Sequence, residues 1–414
     1  MKCHTLAKNA RRDRPVLKSI EDESGRGAGS SLEQFPLPSD EAQHHSEALI
    51  EVIRDAIDTA GGVIGFDRYM QLALYAPGLG YYSGGSRKFG AEGDFVTAPE
   101  ISPLFSQCLA RQCAQAMQAA KLDQLLEFGA GAGTMAADML LQLESMQALP
   151  KTYLIIELSA ELRQRQLETL TRKVPHLLER VQWIEHLPDS FSGVVVANEV
   201  VDAMPVRRLR RQAGRWLEQG VCWDGRRFAW QEMGEAQSGL SEALEELDAN
   251  EGYRTEVCPL ARDWIMELGD MLQKGLILLI DYGYSSREYY HPERRAGTLM
   301  CHYRHRAHDD PFVYPGLQDI TAHVDFTALA EAALDAGLSV YGYTSQAMFL
   351  FGNGLESAMV DVDEPETQYR LAQQVKHLTL PTEMGERFKV MALGTGLAEV
   401  ELMGFALNDM RGKL

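Results

Sequence analysis

LDQLLEFGAGAGTMAADMLLQL, residues 122–143, decides the fold. The apolar run Leu122 to Phe128 has the length of a buried strand, glycines follow, and Thr134 to Leu143 reads as a helix. Strand, tight loop and helix make the first half of a βαβ unit. The alternation then continues: strand TYLIIELS (152–159), helix 160–172, strand VQWIEH (181–186) and strand region FSGVVVANEVVDAMP (191–205). GLILLIDYG (275–283) predicts a fifth strand, and strands at 338–344 and FKVMALGTG (388–396) complete seven. Helices are expected at 325–336 and in the region before about 379. This is an α/β pattern with a mostly parallel, doubly wound sheet, the last two strands reading as an antiparallel addition.

Between the fourth and fifth strands lies an expected insertion, about 206–273. It starts with two or three antiparallel strands turning near Ala213-Gly214 and Asp224-Gly225. An acid-rich helix (241–251) and a more apolar one (259–273) follow. Upstream, residues 1–45 lack apolar periodicity and read as a disordered tail. Residues 46–104 form an N-terminal helical section with a covering loop. Its helices begin at Ala48, with Leu49, Ile50, Ile53, Ala56 and Ile57 on one stripe, and at Phe66. The main domain runs over 105–414, after a Gly- and Tyr-rich stretch too long for a simple connection.

Of 414 residues, 40 are basic and 59 acidic, a net charge of −19, which disfavours a DNA-binding role. No run approaches the ~20 apolar residues of a membrane span, so no membrane insertion is expected. The N-terminus lacks a secretory h-region. Its basic residues before Ile20 faintly suggest a mitochondrial transit peptide, but Glu21, Asp22 and Glu23 argue against one. Cysteines 3, 108, 113, 222, 258 and 301 show no C-x-x-C pair, which suits reduced thiols. The expectation is a bacterial cytoplasmic protein, the mitochondrial matrix being the alternative. His302, His305 and His308 lack a second ligand pair, so no metal is expected. Arginines 207, 208, 210, 211, 215, 226 and 227 read as a solvated face or a docking patch.

The loop Gly129-Ala130-Gly131-Ala132-Gly133-Thr134 has Thr134 where a dinucleotide fingerprint would need glycine. With Glu127 two residues ahead, it resembles the first motif of Rossmann-like class I S-adenosylmethionine-dependent methyltransferases. Glu157, at the end of the second strand, stands where a carboxylate can accept both ribose hydroxyls. Asn198 closes the fourth strand beside this cofactor site, and N-P-P-Y is absent there.

Instead, Glu199 and Asp202 stand three residues apart and would share one side of a helical turn. Two carboxylates suit the forked donors of a guanidinium and could take its proton. The bland alternative is a capping Asp202 and a Glu199 that merely lines the cofactor pocket.

GYYSGGSRKFGAEGDFVTAPEISPLF (80–105), LEFGAGAGT (126–134), NEVVDAMPV (198–206), IDYGYSSREYY (280–290), GTLMCHYRHR (297–306) and PGLQDITAHVDF (315–326) together resemble the MidA family. That resemblance implies an S-adenosyl-L-methionine-dependent methyltransferase, akin to mitochondrial complex I assembly factors that methylate a protein arginine. It implies that Asp94, Thr97, Pro99 and Glu100 cover the cofactor, and that Asp281 and His323 face the acceptor. A sheet-edge loop, a buried structural aspartate and a core histidine are the respective alternatives. A protein partner is expected, and a homodimer through a face at 360–380 is conceivable from sequence. The rival functions are a small-molecule or carboxyl methyltransferase, a cofactor-binding assembly chaperone with little turnover, and a nicotinamide oxidoreductase.

Overall fold

The computed structural model describes residues 35–84, 97–237, 244, 247, 249–357, 364–397 and 400–414. Its strands, in chain order, are β1 (Ile64–Gly65), β2 (Gln124–Phe128), β3 (Thr152–Ile156), β4 (Val181–Ile184) and β5 (Phe191–Asn198). Then come β6 (Arg207–Gln212), β7 (Arg215–Trp223), β8 (Phe228–Glu235), β9 (Arg254–Val257) and β10 (Leu272–Tyr284). The last six are β11 (Met300–Tyr303), β12 (Arg306–His308), β13 (Asp319–Thr321), β14 (Val324–Asp325), β15 (Ser339–Ser345) and β16 (Phe388–Thr395).

The central sheet runs β15-β16-β10-β5-β2-β3-β4, with β14 paired to the end of β10. β4, β3, β2, β5 and β10 are parallel neighbours. β16 is antiparallel to both β10 and β15. The expected pair of reversed strands is therefore one reversed strand. β16 inserts between β10 and β15, so β15 runs with the parallel set.

Strands β5 and β10 are apolar on both faces because helices cover both. Val194, Val195, Val196, Leu276, Ile277 and Leu278 are fully buried. Helices Pro103–Ala120 and Thr134–Ser145 pack on one face. Helices Pro259–Met271 and Phe326–Asp335 pack on the other. The helix Pro259–Met271 thus serves the central core, although sequence placed it in the insertion. The acid-rich helix expected at 241–251 falls largely outside the described residues.

A second sheet, β1-β7-β6-β9 with β8 on β7, joins the N-terminal section to the insertion, as Ile64 pairs with Val221. Its arginines are matched locally: Arg207 by Asp67 at 3.4 Å, Arg208 by Glu256 at 3.8 Å and Arg210 by Glu232 at 3.6 Å. The first helix begins earlier than expected, at Asp40, inside the expected tail. Ser39 caps it by accepting the Ala42 N–H, with Asp40 and Glu41 in the first turn. Polar capping residues, which carry no apolar stripe, hid this start.

Register brings the chemistry to one edge. Phe128 aligns with Ile156 and Ala197, and Ile280 with Asn198. Gly129, Glu157, Glu199 and Asp281 therefore leave the sheet together at its C-terminal end, where open α/β sheets bind ligands.

Candidate active site

Gly129, Gly131 and Gly133 all adopt the left-handed backbone, with φ of 62°, 52° and 82°. An L side chain is strained there, and only glycine takes it freely. Their surroundings differ. A Cβ on Gly133 would meet the Gln166 Cα at 3.0 Å, so that glycine permits close packing on the helix Ala160–Lys173. A Cβ on Gly131 would meet no protein atom within 4 Å, because this stretch borders a cavity of about 480 Å³.

That cavity is lined by Gly129, Gly131, Glu127, Glu157, Asn198 and Glu199, and it is roofed by Tyr75, Tyr82, Thr97, Pro99 and Glu100. Asp94 lies outside the described residues. Glu157 accepts from the Ser159 N–H at 2.9 Å and from the Gln166 amide at 3.0 Å. Gln166 also donates to the Gly131 carbonyl at 3.1 Å and accepts from the Trp183 indole at 2.8 Å. This buried glutamine couples loop to carboxylate, and sequence reading missed it, since one Gln on a polar helix carries no signal.

Glu127 is fully buried, and the Tyr153 hydroxyl donates to it at 2.6 Å. Burial pushes its carboxyl up to about 7, with the Tyr153 bond opposing. Its other oxygen and the Asn198 amide oxygen have no partner among the described residues. Orphaned acceptors on the wall, an open glycine cradle and a lone-pair-rich Glu157 fit an adenosyl ligand with hydroxyl and ammonium donors. Gly129, Gly131, Glu157 and Asn198 are the groups that would hold it.

Glu199 also lines a second cavity, of about 800 Å³, with Asp202, Asp319, Tyr282, Tyr284 and His323. It is thus the wall residue common to both spaces. The expected helical turn at 199–202 is absent. Glu199 has φ of 53°, a conformation costly for a non-glycine residue, and its N–H donates to the Ile280 carbonyl at 2.9 Å.

Asp281 accounts for that geometry. Its carboxylate accepts from Val201 N–H at 3.0 Å, Asp202 N–H at 3.2 Å and Tyr282 N–H at 2.9 Å. It is 1 % exposed and is in the lining of neither cavity, so the structure places it behind the turn.

Burial, then Asp202, pushes the Glu199 carboxyl up to about 8, while the Asn198 amide (3.1 Å) and Ala98 N–H oppose the rise. Burial also raises Asp202, against a hydrogen bond from the Tyr282 hydroxyl. His323 lines this cavity, and burial and then Arg294, Arg387 and Lys389 hold it down to about 4. It is therefore neutral near pH 7, and its Nδ1 has no partner among the described residues. Asp319 is the missed carboxylate of this cavity. It sits within the quoted QDITAHVD run, four residues before the histidine that drew attention, and Tyr82 donates to it at 2.8 Å.

The comparisons agree with this geometry. Residues 108–344 match the model of a family described as "Putative S-adenosyl-L-methionine-dependent methyltransferase". The chain is 30 % identical over 369 residues to Protein arginine methyltransferase NDUFAF7, mitochondrial, of Danio rerio, covering 81 % of this chain and 84 % of that protein. The Mus musculus protein of the same name is 31 % identical over 370 residues, covering 80 % and 81 %. A crystal structure of a protein from Burkholderia thailandensis described as a "likely methyl transferase", bound to S-adenosyl-homocysteine, superposes with a TM-score of 0.89 at 48 % identity. It covers 92 % of this chain and 100 % of its own. Its ligand agrees with the cradle above, and S-adenosyl-L-methionine is the cofactor. The chain belongs to the MidA family of S-adenosyl-L-methionine-dependent methyltransferases.

Proposed function

We propose that the methyl acceptor is an arginine side chain of a partner protein. The observation that carries this reading is the trio Glu199, Asp202 and Asp319 in the cavity that meets the cofactor cavity at Glu199. A guanidinium offers planar, forked donors that match several carboxylate oxygens, whereas a carboxyl acceptor would be repelled there. The relatives' printed name, protein arginine methyltransferase, supports the same acceptor. By family resemblance the bearer is a subunit of the respiratory complex I type.

The bound cofactor supplies an electrophilic sulfonium methyl group. Glu199 and Asp202 hold the guanidinium, draw its charge toward two of its nitrogens and leave the third with its lone pair available. One of them would take the proton released as the N–C bond forms and the S–CH3 bond breaks, which leaves S-adenosylhomocysteine. Asp281 fixes the turn bearing both, and the Tyr82–Asp319 bond ties the cofactor roof to the acceptor wall. Positioning of donor and nitrogen supplies the remaining acceleration.

The test is transfer from methyl-labelled S-adenosylmethionine to proteins of a cell extract, followed by mass spectrometry of the labelled residues. Methylarginine supports the reading; label on carboxyl groups or only on small molecules contradicts it.

A further inference from the structure

The acceptor cavity has one arginine, Arg387, in its lining beside the acids, and two further cations stand over the Tyr284 ring of its wall. From Asp202 the Tyr282 hydroxyl leads to a ring whose centroid is 5.3 Å from His323. His323 lies 5.2 Å from Tyr284. Over Tyr284 stand the Arg294 guanidinium at 4.3 Å and the Lys389 ammonium at 5.8 Å. Arg387, exposed, lines the same cavity, one residue beyond the Tyr282–Phe388 pair of the β10–β16 ladder. An extended segment advances about 3.3 Å per residue, so side chains up to four positions apart lie within about 13 Å of each other.

Arg387 is exposed, whereas Lys389 is buried. Lys389 donates to the Glu386 carbonyl, and Arg294 donates to the Glu288 carbonyl at 3.4 Å. Glu383 also lines the cavity, but His377 lies 3.6 Å from its carboxylate. Glu288 lines a neighbouring cavity with Arg294, Arg295 and Tyr284, and the Lys413 ammonium lies 4.0 Å from its carboxylate. Field from Arg294, Arg387 and Lys389 reaches His323, which it helps to keep neutral.

A cavity lined by Glu199, Asp202 and Asp319 and also by Arg387, with Arg294 and Lys389 acting on its His323, fits a ligand that carries both signs of charge. Resting on the arginine reading above, we propose that the protein substrate carries an acidic side chain within about four residues of the methylated arginine. Arg387 is the residue that selects for it. Carboxylate docking on Arg387 would hold the peptide so that its arginine reaches Glu199 and Asp202. A segment flanked by lysine would be repelled.

The experiment uses the full-length protein with S-adenosylhomocysteine and fluorescein-labelled decapeptides read by anisotropy. Each peptide has one arginine and, three residues away, glutamate, alanine or lysine. The glutamate peptide is expected to bind roughly 10-fold more tightly than the lysine peptide, and Arg387→Glu to abolish or invert that order. Equal binding of all three, or an order unchanged in Arg387→Glu, overturns the proposal. Replacing arginine by norleucine separates the two readings. Acid preference without arginine dependence removes the arginine reading and keeps the acidic-segment docking; arginine dependence without acid preference does the reverse. No binding by any peptide overturns both.

Discussion

The buried carboxylate of Asp281, at the end of β10, takes the backbone N–H of Asp202 at 3.2 Å across a separation of 79 residues. The same oxygen takes the Val201 N–H at 3.0 Å, so the acid-bearing turn is held from behind by a residue outside both cavities. Asp281→Ala strands three buried N–H groups, although it also removes a like charge near Asp202. It is expected to lower stability by about 2–4 kcal/mol and turnover by more than ~100-fold. S-adenosylhomocysteine affinity should stay within about threefold of wild type, measured by calorimetry on folded protein. A comparable loss of cofactor affinity would contradict the positioning role.

The glycine loop separates two roles by substitution. Gly131→Val projects into open space, at a strain cost of about 1 kcal/mol from its positive φ. It should fold and lose cofactor binding by at least ~100-fold. Gly133→Ala forces a methyl against the Gln166 backbone and should lower the denaturation midpoint instead. Chemical denaturation paired with calorimetry reads both.

Glu157→Ala removes an acceptor held by Ser159 and Gln166. Loss of two hydroxyl bonds to a carboxylate predicts about 30- to 100-fold weaker S-adenosylhomocysteine binding. Gln166→Leu, which frees both Glu157 and the Gly131 carbonyl, should weaken binding by a smaller factor while Glu157 remains.

The Glu199 carboxyl, lifted from its ordinary 4.5 to about 8, makes the ligand-free protein pH-sensitive. The native state holds a proton that the unfolded chain has released. That contribution is therefore complete below the ordinary carboxylate range and lost as pH rises through about 8. Glu199→Gln should flatten this fall in denaturation midpoint. For catalysis the sign reverses, because the carboxylate is the working form. The kcat/KM should climb with pH and level off above about 8. A flat profile across that range would contradict the role.

Fold and cofactor site were legible where the signal is local. Leu122 to Thr134 reads as strand, loop and helix without help, and Glu157 follows from the next strand's end. The acceptor site was legible only in part, because long-range contacts decide it. Tyr82 meets Asp319 across 237 residues, and nothing in either segment names the other. His323 was singled out by residue type, but its burial and then Arg294, together with Arg387 and Lys389 from one distant segment, make it neutral. The reversal of β16 was expected, but the parallel direction of β15 escaped for the same reason, since pairing order is tertiary.

The central claim is that Glu199 serves the acceptor while the cofactor is held elsewhere. Single-turnover methyl transfer to an arginine peptide by wild type and Glu199→Gln, with S-adenosylhomocysteine affinity measured in parallel, tests it most directly. The account predicts transfer at least ~100-fold slower in Glu199→Gln with cofactor affinity within about threefold. Undiminished transfer, or lost cofactor affinity that alone explains the slower rate, would contradict it.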